Sequence, residues 1–181
     1  MRLTILATAL VLGVTACGSP AVMQSEGQAT GSAAPTSTSD QQRPAVKAEL
    51  TMQGKPGLGL LTATNQGTAP ITFQGWPKLA FTNPANQPAA IPVEQKLVPG
   101  EGPSITLQPG QTAFAGVKLD VDDANSSAIN EMTVELPGMV PAKVAFIGTD
   151  GRPIADMSKL KVSEAEVGTM QPAAQGVTVF D

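Results

Sequence analysis

Apolar and polar residues alternate along most of the chain after residue 44, in short runs separated by Pro, Gly and Asn. In the longest run, residues 113–121, small and aliphatic side chains occupy every second position against Phe114, Gly116, Lys118 and Asp120. A period of two is typical of a β-strand with one buried face. Shorter runs predict further strands at residues 46–52, 58–64, 71–73, 79–81, 105–107, 132–136, 144–147, 152–154 and 176–180.

Turn residues between these runs favour hairpins over long crossovers. Asp150 and Gly151 separate two of the runs and predict a tight hairpin, because both residues tolerate a positive φ. Residues 83–88 read as a loop, and residues 122–130 as a polar segment with room for a helical turn. The nearest approach to a helical period, at residues 157–167, is weak. The pattern predicts an all-β fold, an immunoglobulin-like antiparallel β-sandwich.

The start of the chain has a different pattern. Arg2 precedes an apolar run at residues 3–14, and the small pair Thr15-Ala16 precedes Cys17, the only cysteine. This is the order of a secretory signal peptide, and about a dozen apolar residues are too few for a permanent membrane-spanning helix. The segment resembles the lipobox of bacterial lipoproteins, which implies removal of residues 1–16 and a diacylglyceryl group on Cys17. An ordinary signal peptide with an incidental cysteine is the alternative.

Small and polar residues make up most of the segment after the cysteine, residues 18–43. Such a segment cannot bury enough apolar surface to offset its ordering entropy. The sequence therefore predicts a lipidated cysteine and flexible linker at residues 17–43 and one β-sandwich domain at residues 44–181. The lipid on Cys17 is expected to hold the protein to a membrane outside the cytoplasm, at the cell surface or in the periplasm.

The composition of the chain limits which binding partners and which catalytic groups it can have. Charged residues are 14% of the chain and the net charge is −4, which leaves no broad cationic surface for nucleic acid. Histidine is absent, although imidazole serves most catalytic triads and many zinc sites. A single cysteine allows no intramolecular disulfide, and aromatic residues are only 3%, so aliphatic packing must join the sheets. We expect a protein that is not an enzyme and has no cofactor.

Three segments resemble a known family: residues 61–67 (LTATNQG), 75–81 (GWPKLAF) and 105–113 (ITLQPGQTA). They are similar to the strand, bend and edge-strand signatures of domain of unknown function 4232, which is common in exported actinobacterial lipoproteins. The resemblance spans about residues 50–160 and implies an immunoglobulin-like fold with no established activity. This chain departs from the pattern in lacking a cysteine pair within the domain and in having Trp76 where tyrosine is common.

Two clusters suggest metal binding. Asp120, Asp122, Asp123 and Asn125 offer the oxygen ligands that calcium prefers, but their spacing differs from the EF-hand loop, and a solvated loop is the simpler interpretation. Thioethers favour Cu(I), and four methionines are spread along the domain. Without histidine they read better as fillers of an aromatic-poor core. The four are Met132, Met139, Met157 and Met170.

The remaining candidates are Trp76, a pair of adjacent serines and a serine beside a lysine. The sole tryptophan lies at a strand bend beside Pro77, where it either fills the core or marks a binding surface. Ser126-Ser127 and Ser158-Lys159 are the arrangements closest to a serine nucleophile. Adjacent side chains of an extended strand point to opposite faces, which argues against the second pair.

These observations predict a lipid-anchored cell-envelope protein whose immunoglobulin-like domain binds or scaffolds an unidentified envelope protein or small ligand without catalysis. An extracytoplasmic copper or calcium binder is the alternative. A cell-wall hydrolase is a third, and it would need two carboxylates about 5–10 Å apart in a cleft.

Overall fold

The computed structural model describes residues 45–122 and 124–180. They form strands and one short 3₁₀ helix, Met157–Lys159. The strands are β1 Val46–Met52, β2 Leu58–Asn65, β3 Ile71–Phe73, β4 Lys78–Thr82, β5 Pro88–Ala89, β6 Val93–Gln95, β7 Ile105–Leu107, β8 Thr112–Asp120, β9 Ser127–Ala128, β10 Glu131–Glu135, β11 Ala142–Ile147, β12 Lys161–Val162 and β13 Glu164–Val167. The fold is all-β, as the alternation predicts.

A curled, nine-stranded sheet holds most of the domain, and its multi-strand form is consistent with a β-sandwich. Its strand order is β5-β4-β10-β11-β1-β2-β8-β13-β6, and β3–β7 and β9–β12 form two smaller sheets. Most strand pairs are antiparallel, as predicted, and two are parallel: β1 with β11 and β13 with β6. Parallel partners need long connections. The chain supplies one, since β2 to β10 lie between β1 and β11.

Aliphatic side chains fill the core, with three phenylalanines among them. In β8 the buried residues include Ala113, Ala115, Val117 and Leu119, as the alternation predicts. Val121, in the same periodic run, is 56% exposed because β8 ends one residue earlier. Burial therefore alternates only among residues that are hydrogen-bonded to a neighbouring strand.

The hairpin prediction at Asp150 and Gly151 is confirmed. The N–H of Gly148 donates to the carbonyl of Arg152 at 2.8 Å, and Gly151 has a φ of 76°. The chain then returns beside β11, where the N–H of Ile154 donates to the carbonyl of Phe146 at 2.8 Å. The predicted strand at residues 152–154 is reduced to a single bridge between Ile147 and Pro153.

One prediction near the carboxyl end is wrong. Residues 176–180 form no strand; they turn, and buried Val177 packs over β8 so closely that a Cβ on Gly116 would overlap the Val177 carbonyl oxygen. The weak helical period at residues 157–167 yields only the 3₁₀ helix, followed by β12 and β13. In both segments tertiary contacts override a short local pattern.

Candidate functional site

Residues in the segments that carry the family resemblance make hydrogen bonds that connect distant parts of the chain. Asn65 is fully buried, and its Nδ2 donates to the carbonyls of Ala69 and Leu107, at 2.9 Å each. Its Oδ1 accepts from the N–H of Gly67 at 2.9 Å. The backbone N–H of Asn65 donates to the Gln111 carbonyl at 2.9 Å. One asparagine thus ties the turn after β2 to the end of β7 and to the turn before β8.

Trp76 makes a second such connection. Its ring is partly buried and packs against the core, and its Nε1 donates to the carbonyl of Lys96 at 2.8 Å. The carbonyl of the preceding Gly75 accepts from the N–H of Met170 at 2.9 Å. The indole therefore joins the bend before β4 to the segment after β6. It does not line the cavities described below.

The lipidation candidate Cys17, the predicted signal peptide and the linker lie outside the described residues. Within residues 45–122 and 124–180, no helix is long and apolar enough to cross a membrane.

The acidic loop is organised by its own hydrogen bonds. Asp122 accepts from Asn125 Nδ2 at 2.7 Å and from the N–H of Ala124 at 3.1 Å. The Asn125 bond, helped by the Ala124 N–H, holds the pKa of Asp122 below its ordinary value. Asp120 instead pairs with Lys118, Nζ to Oδ2 at 3.1 Å. The described part of the chain contains no group of three or more acidic, cysteine or histidine residues able to hold a metal ion.

A line of alternating charges crosses the outer strands of the sheet. Lys96 Nζ lies 2.9 Å from Glu94 Oε1 and 3.5 Å from Glu166 Oε1, and Lys118 Nζ lies 3.8 Å from Glu166 Oε2. The hydrogen bond that Lys96 donates to Glu94 raises the pKa of Lys96, and the one that Lys118 donates to Asp120 raises the pKa of Lys118. Because these groups form ion pairs with one another at the surface, we interpret them as side-chain pairs that stabilise the contacts among β6, β13 and β8.

Of the serine candidates, Ser126 has a described hydroxyl environment, and the side chain of Ser158 is not among those that the structure describes. Ser126 Oγ is buried and makes no hydrogen bond to a described residue. Lys159 Nζ lies 3.9 Å from Asp156 Oδ2, one turn before it in sequence.

The methionines fall into two groups. Met132 and Met170 are fully buried, and Met139 and Met157 are partly buried against the core. Met132 and Met157 line the same cavity. Met52, which the sequence analysis did not single out, lines the adjoining one.

That first cavity is a cleft where two strands of the large sheet part. Paired register between β10 and β11 ends at Thr133 and Lys143, although β10 begins at Glu131 and β11 continues to Ile147. The chain returning after the hairpin, residues 153–157, closes one side. A cavity of about 330 Å³ lies between them. We call it the β10–β11 cleft, and its lining is Asn130, Glu131, Met132, Lys143, Val144, Ala145, Phe146, Pro153, Ile154, Ala155, Asp156 and Met157.

The cleft has an apolar interior and a charged rim. Met132 and Phe146 are buried at its wall, and Ile154, a large apolar side chain, is 38% exposed. At the rim, Lys143 Nζ pairs with Glu131 Oε2 at 2.6 Å. Its volume is at the small end of the range for ligand pockets, and apolar walls with a few polar groups are the usual composition of such sites.

A second, more apolar cavity of about 200 Å³ adjoins the cleft and shares Phe146, Ile154 and Asp156 with it. Met52 and Leu160 complete its apolar wall. Both cavities therefore surround the chain that returns from the hairpin. One feature of the sequence points to this site: Ile154 is a large apolar residue that follows the predicted hairpin.

Comparison with known proteins gives one match. Residues 36–171 match a sequence family described as Domain of unknown function (DUF4232). Neither the curated proteins nor the solved structures contain a match to the chain.

Proposed function

Because the chain belongs to the DUF4232 family, a domain of unknown function, we propose a function from the chain's own residues. The protein is a lipid-anchored lipoprotein of the cell envelope whose β-domain binds a small ligand in the β10–β11 cleft without catalysis. The observation that carries the binding role is the cleft itself, a cavity of about 330 Å³ with both apolar and polar walls, beside the point where the register between β10 and β11 ends.

The anchor rests on the start of the sequence. Cys17 follows an apolar run and the small pair Thr15-Ala16, the arrangement that bacterial lipoproteins share. A diacylglyceryl group supplies two acyl chains, and two chains hold a protein to a membrane far more firmly than one.

A binding screen tests the ligand role. The full chain carrying Cys17→Ser is screened against a small-fragment library by ¹H–¹⁵N NMR. Saturable shifts are expected at the cleft amides, such as Met132 and Val144. Ala145→Trp places a large ring at the exposed, cleft-lining Ala145 and should abolish these shifts. Ala80→Trp, at an exposed β4 alanine outside the cleft, is the matched control. Fragments that never shift the cleft amides would contradict the role.

The anchor has a separate test. Cells labelled with palmitate should incorporate label into the wild-type protein, and the protein should partition with membranes. Cys17→Ala should lose both the label and the membrane association. A Cys17→Ala protein that stays membrane-bound would contradict lipid anchoring at this residue.

Copper binding is a second candidate, favoured by one observation. Met132 and Met157 line the same cleft, and thioethers are soft ligands for Cu(I). Anaerobic titration with Cu(I) against a competing chromophoric chelator should then show one equivalent bound. Met157→Leu keeps the apolar volume and should remove this binding, whereas Met139→Leu, outside the cleft, should not. Wild-type protein that takes up no Cu(I) would end this candidate.

A further inference from the structure

The charged residues that line the two cavities around the returning chain balance one another. In the β10–β11 cleft, Lys143 Nζ lies 2.6 Å from Glu131 Oε2. In the adjoining cavity, Lys159 Nζ lies 3.9 Å from Asp156 Oδ2. The lining of the two cavities therefore carries two carboxylates and two ammonium groups, with no net charge. Such a lining gives no long-range attraction to a ligand with a net charge of either sign, and it favours a ligand whose own charges cancel.

Much of the remaining lining is apolar. Met132, Phe146 and Met157 contribute to the wall of the cleft, and the first two are buried. Ile154, which lines both cavities, is 38% exposed. An apolar group placed against these side chains removes apolar surface from water, which favours binding. The site thus combines an apolar wall with opposite charges at its rim.

The volume of the cleft limits the size of its ligand. A cavity of about 330 Å³ has room for about ten non-hydrogen atoms, at roughly 30 Å³ each, the volume that one water molecule takes in the liquid. A phospholipid with two acyl chains is far too large for this space. A molecule of the size of leucine or methionine fits it.

We infer that the ligand of the β10–β11 cleft is a free α-amino acid with a long apolar side chain. This inference rests on the proposed ligand-binding function and names the chemical class of the ligand. The ammonium group of the ligand pairs with Glu131, and its carboxylate pairs with Lys143. Its side chain packs against Met132, Phe146 and Met157.

The ion pair at the rim explains why the ligand needs both charges. The side chain of Lys143 is 71% exposed and that of Glu131 is 28% exposed. A pair this open to solvent contributes little stability, so it exchanges partners at a small cost. A carboxylic acid that binds Lys143 leaves Glu131 without its partner, and an amine that binds Glu131 does the same to Lys143. A zwitterion replaces both partners at once, through charge-assisted hydrogen bonds.

The test compares leucine with three analogues that each lack one of its parts. Isocaproate lacks the ammonium group, isoamylamine lacks the carboxylate, and alanine lacks most of the apolar side chain. The full chain carrying Cys17→Ser is titrated with each compound at neutral pH, and binding is followed through the backbone amides of Met132 and Val144. Leucine should shift these amides saturably and bind about fivefold more tightly than each analogue.

Two variants assign the charges of leucine to the rim pair. Lys143→Gln should remove the advantage of leucine over isoamylamine, and Glu131→Gln should remove its advantage over isocaproate. Lys78→Gln is the matched control, because Lys78 forms a similarly exposed ion pair with Glu135 at 3.3 Å and neither residue lines the cleft. This control should leave both preferences unchanged.

Three results would overturn the inference. They are the absence of a saturable shift with leucine, binding of isocaproate or isoamylamine as tight as that of leucine, and retention of both preferences in the Lys143→Gln and Glu131→Gln proteins. If an analogue or a fragment still shifts the cleft amides in these cases, the ligand-binding function survives. If no compound shifts them, both proposals fall.

Discussion

The side-chain amide of Asn65 donates a hydrogen bond of 2.9 Å to the carbonyl of Leu107, 42 residues later in the chain. The two residues belong to different signature segments, and each closes its strand at this contact. Leu107 ends β7, and Asn65 ends β2. The segments that identify the family thus stabilise the fold where strands from distant parts of the sequence meet.

We predict that Asn65→Ala destabilises the protein by about 3 kcal/mol, because it leaves two carbonyls and one N–H without their partner at a buried position. Asn83→Ala removes similar turn hydrogen bonds from Ala85 and Gln87 at an exposed loop and should cost less than about 1 kcal/mol. Urea unfolding of both variants measures the difference. Equal losses in the two variants would contradict the role of Asn65 in connecting distant parts of the chain.

Trp76 should behave as a structural residue. Trp76→Phe keeps an aromatic ring against the core but loses the Nε1 hydrogen bond to Lys96, so a loss of about 1 kcal/mol is expected. Cleft binding should stay unchanged, because Trp76 does not line the cleft. Chemical unfolding and the fragment titration measure these two quantities. Loss of cleft binding in a stably folded Trp76→Phe protein would show that the tryptophan takes part in recognition.

Gly116 lets the carboxyl-terminal turn lie directly on β8. A Cβ at this position would overlap the carbonyl oxygen of Val177, so Gly116→Ala should displace the turn and expose Val177. We expect cleavage near residue 177 by a nonspecific protease at least tenfold faster than in the wild type. Gly100→Ala has open space at its Cβ and should leave the cleavage rate unchanged. An unaltered digestion pattern in Gly116→Ala would contradict this packing.

The line of alternating charges across β6, β13 and β8 predicts a loss of stability at alkaline pH. The pKa of Lys96 is raised above its ordinary 10.5, first by its hydrogen bond with Glu94 and also by Glu166. A raised folded-state pKa stabilises the fold fully below the unfolded value, and this stabilisation disappears as pH rises through the folded value. Glu94→Gln should bring the pKa of Lys96 down and make the alkaline loss shallower. NMR titration of the Lys96 side chain measures the shift.

Glu49→Gln is the control for this titration, since Glu49 pairs with Lys47 on β1 and not with Lys96. Glu49→Gln should leave the pKa of Lys96 unchanged. The prediction fails if Lys96 titrates identically in the wild-type and Glu94→Gln proteins.

The acidic loop predicts the opposite pH dependence. The pKa of Asp122 is lowered from 3.8, chiefly by the amide of Asn125. A lowered folded-state pKa contributes stability that is present above 3.8 and is lost as pH falls through the folded value. Asn125→Ala should raise the pKa of Asp122 toward its ordinary value, which carboxyl NMR titration detects. An Asp122 pKa that does not move would assign the shift to another cause.

Local patterns predicted the strands well and their ends less well. The period of two identified β1, β3, β8 and β10 because alternation reports which side chains face a core. It failed at Val121, which continues the period past the last ladder residue. It also failed at residues 176–180, where Val177 is buried by packing over Gly116 and not by strand pairing. The two-residue strands β5 and β9 are too short to show a period, and β6 has one apolar residue, Val93, so it shows no alternation.

The sequence by itself determined the all-β class, the family, the hairpin at Asp150 and Gly151, and the aliphatic core. Each of these depends on neighbouring residues or on composition. Only the tertiary structure decided that β1 pairs with β11 in parallel and that β10 and β11 part to form a cleft. The position of that cleft depends on where the hydrogen-bonded register ends between two strands, and on the chain that returns between them. Such a register is set by the packing of the whole sheet, and no local pattern of residues encodes it.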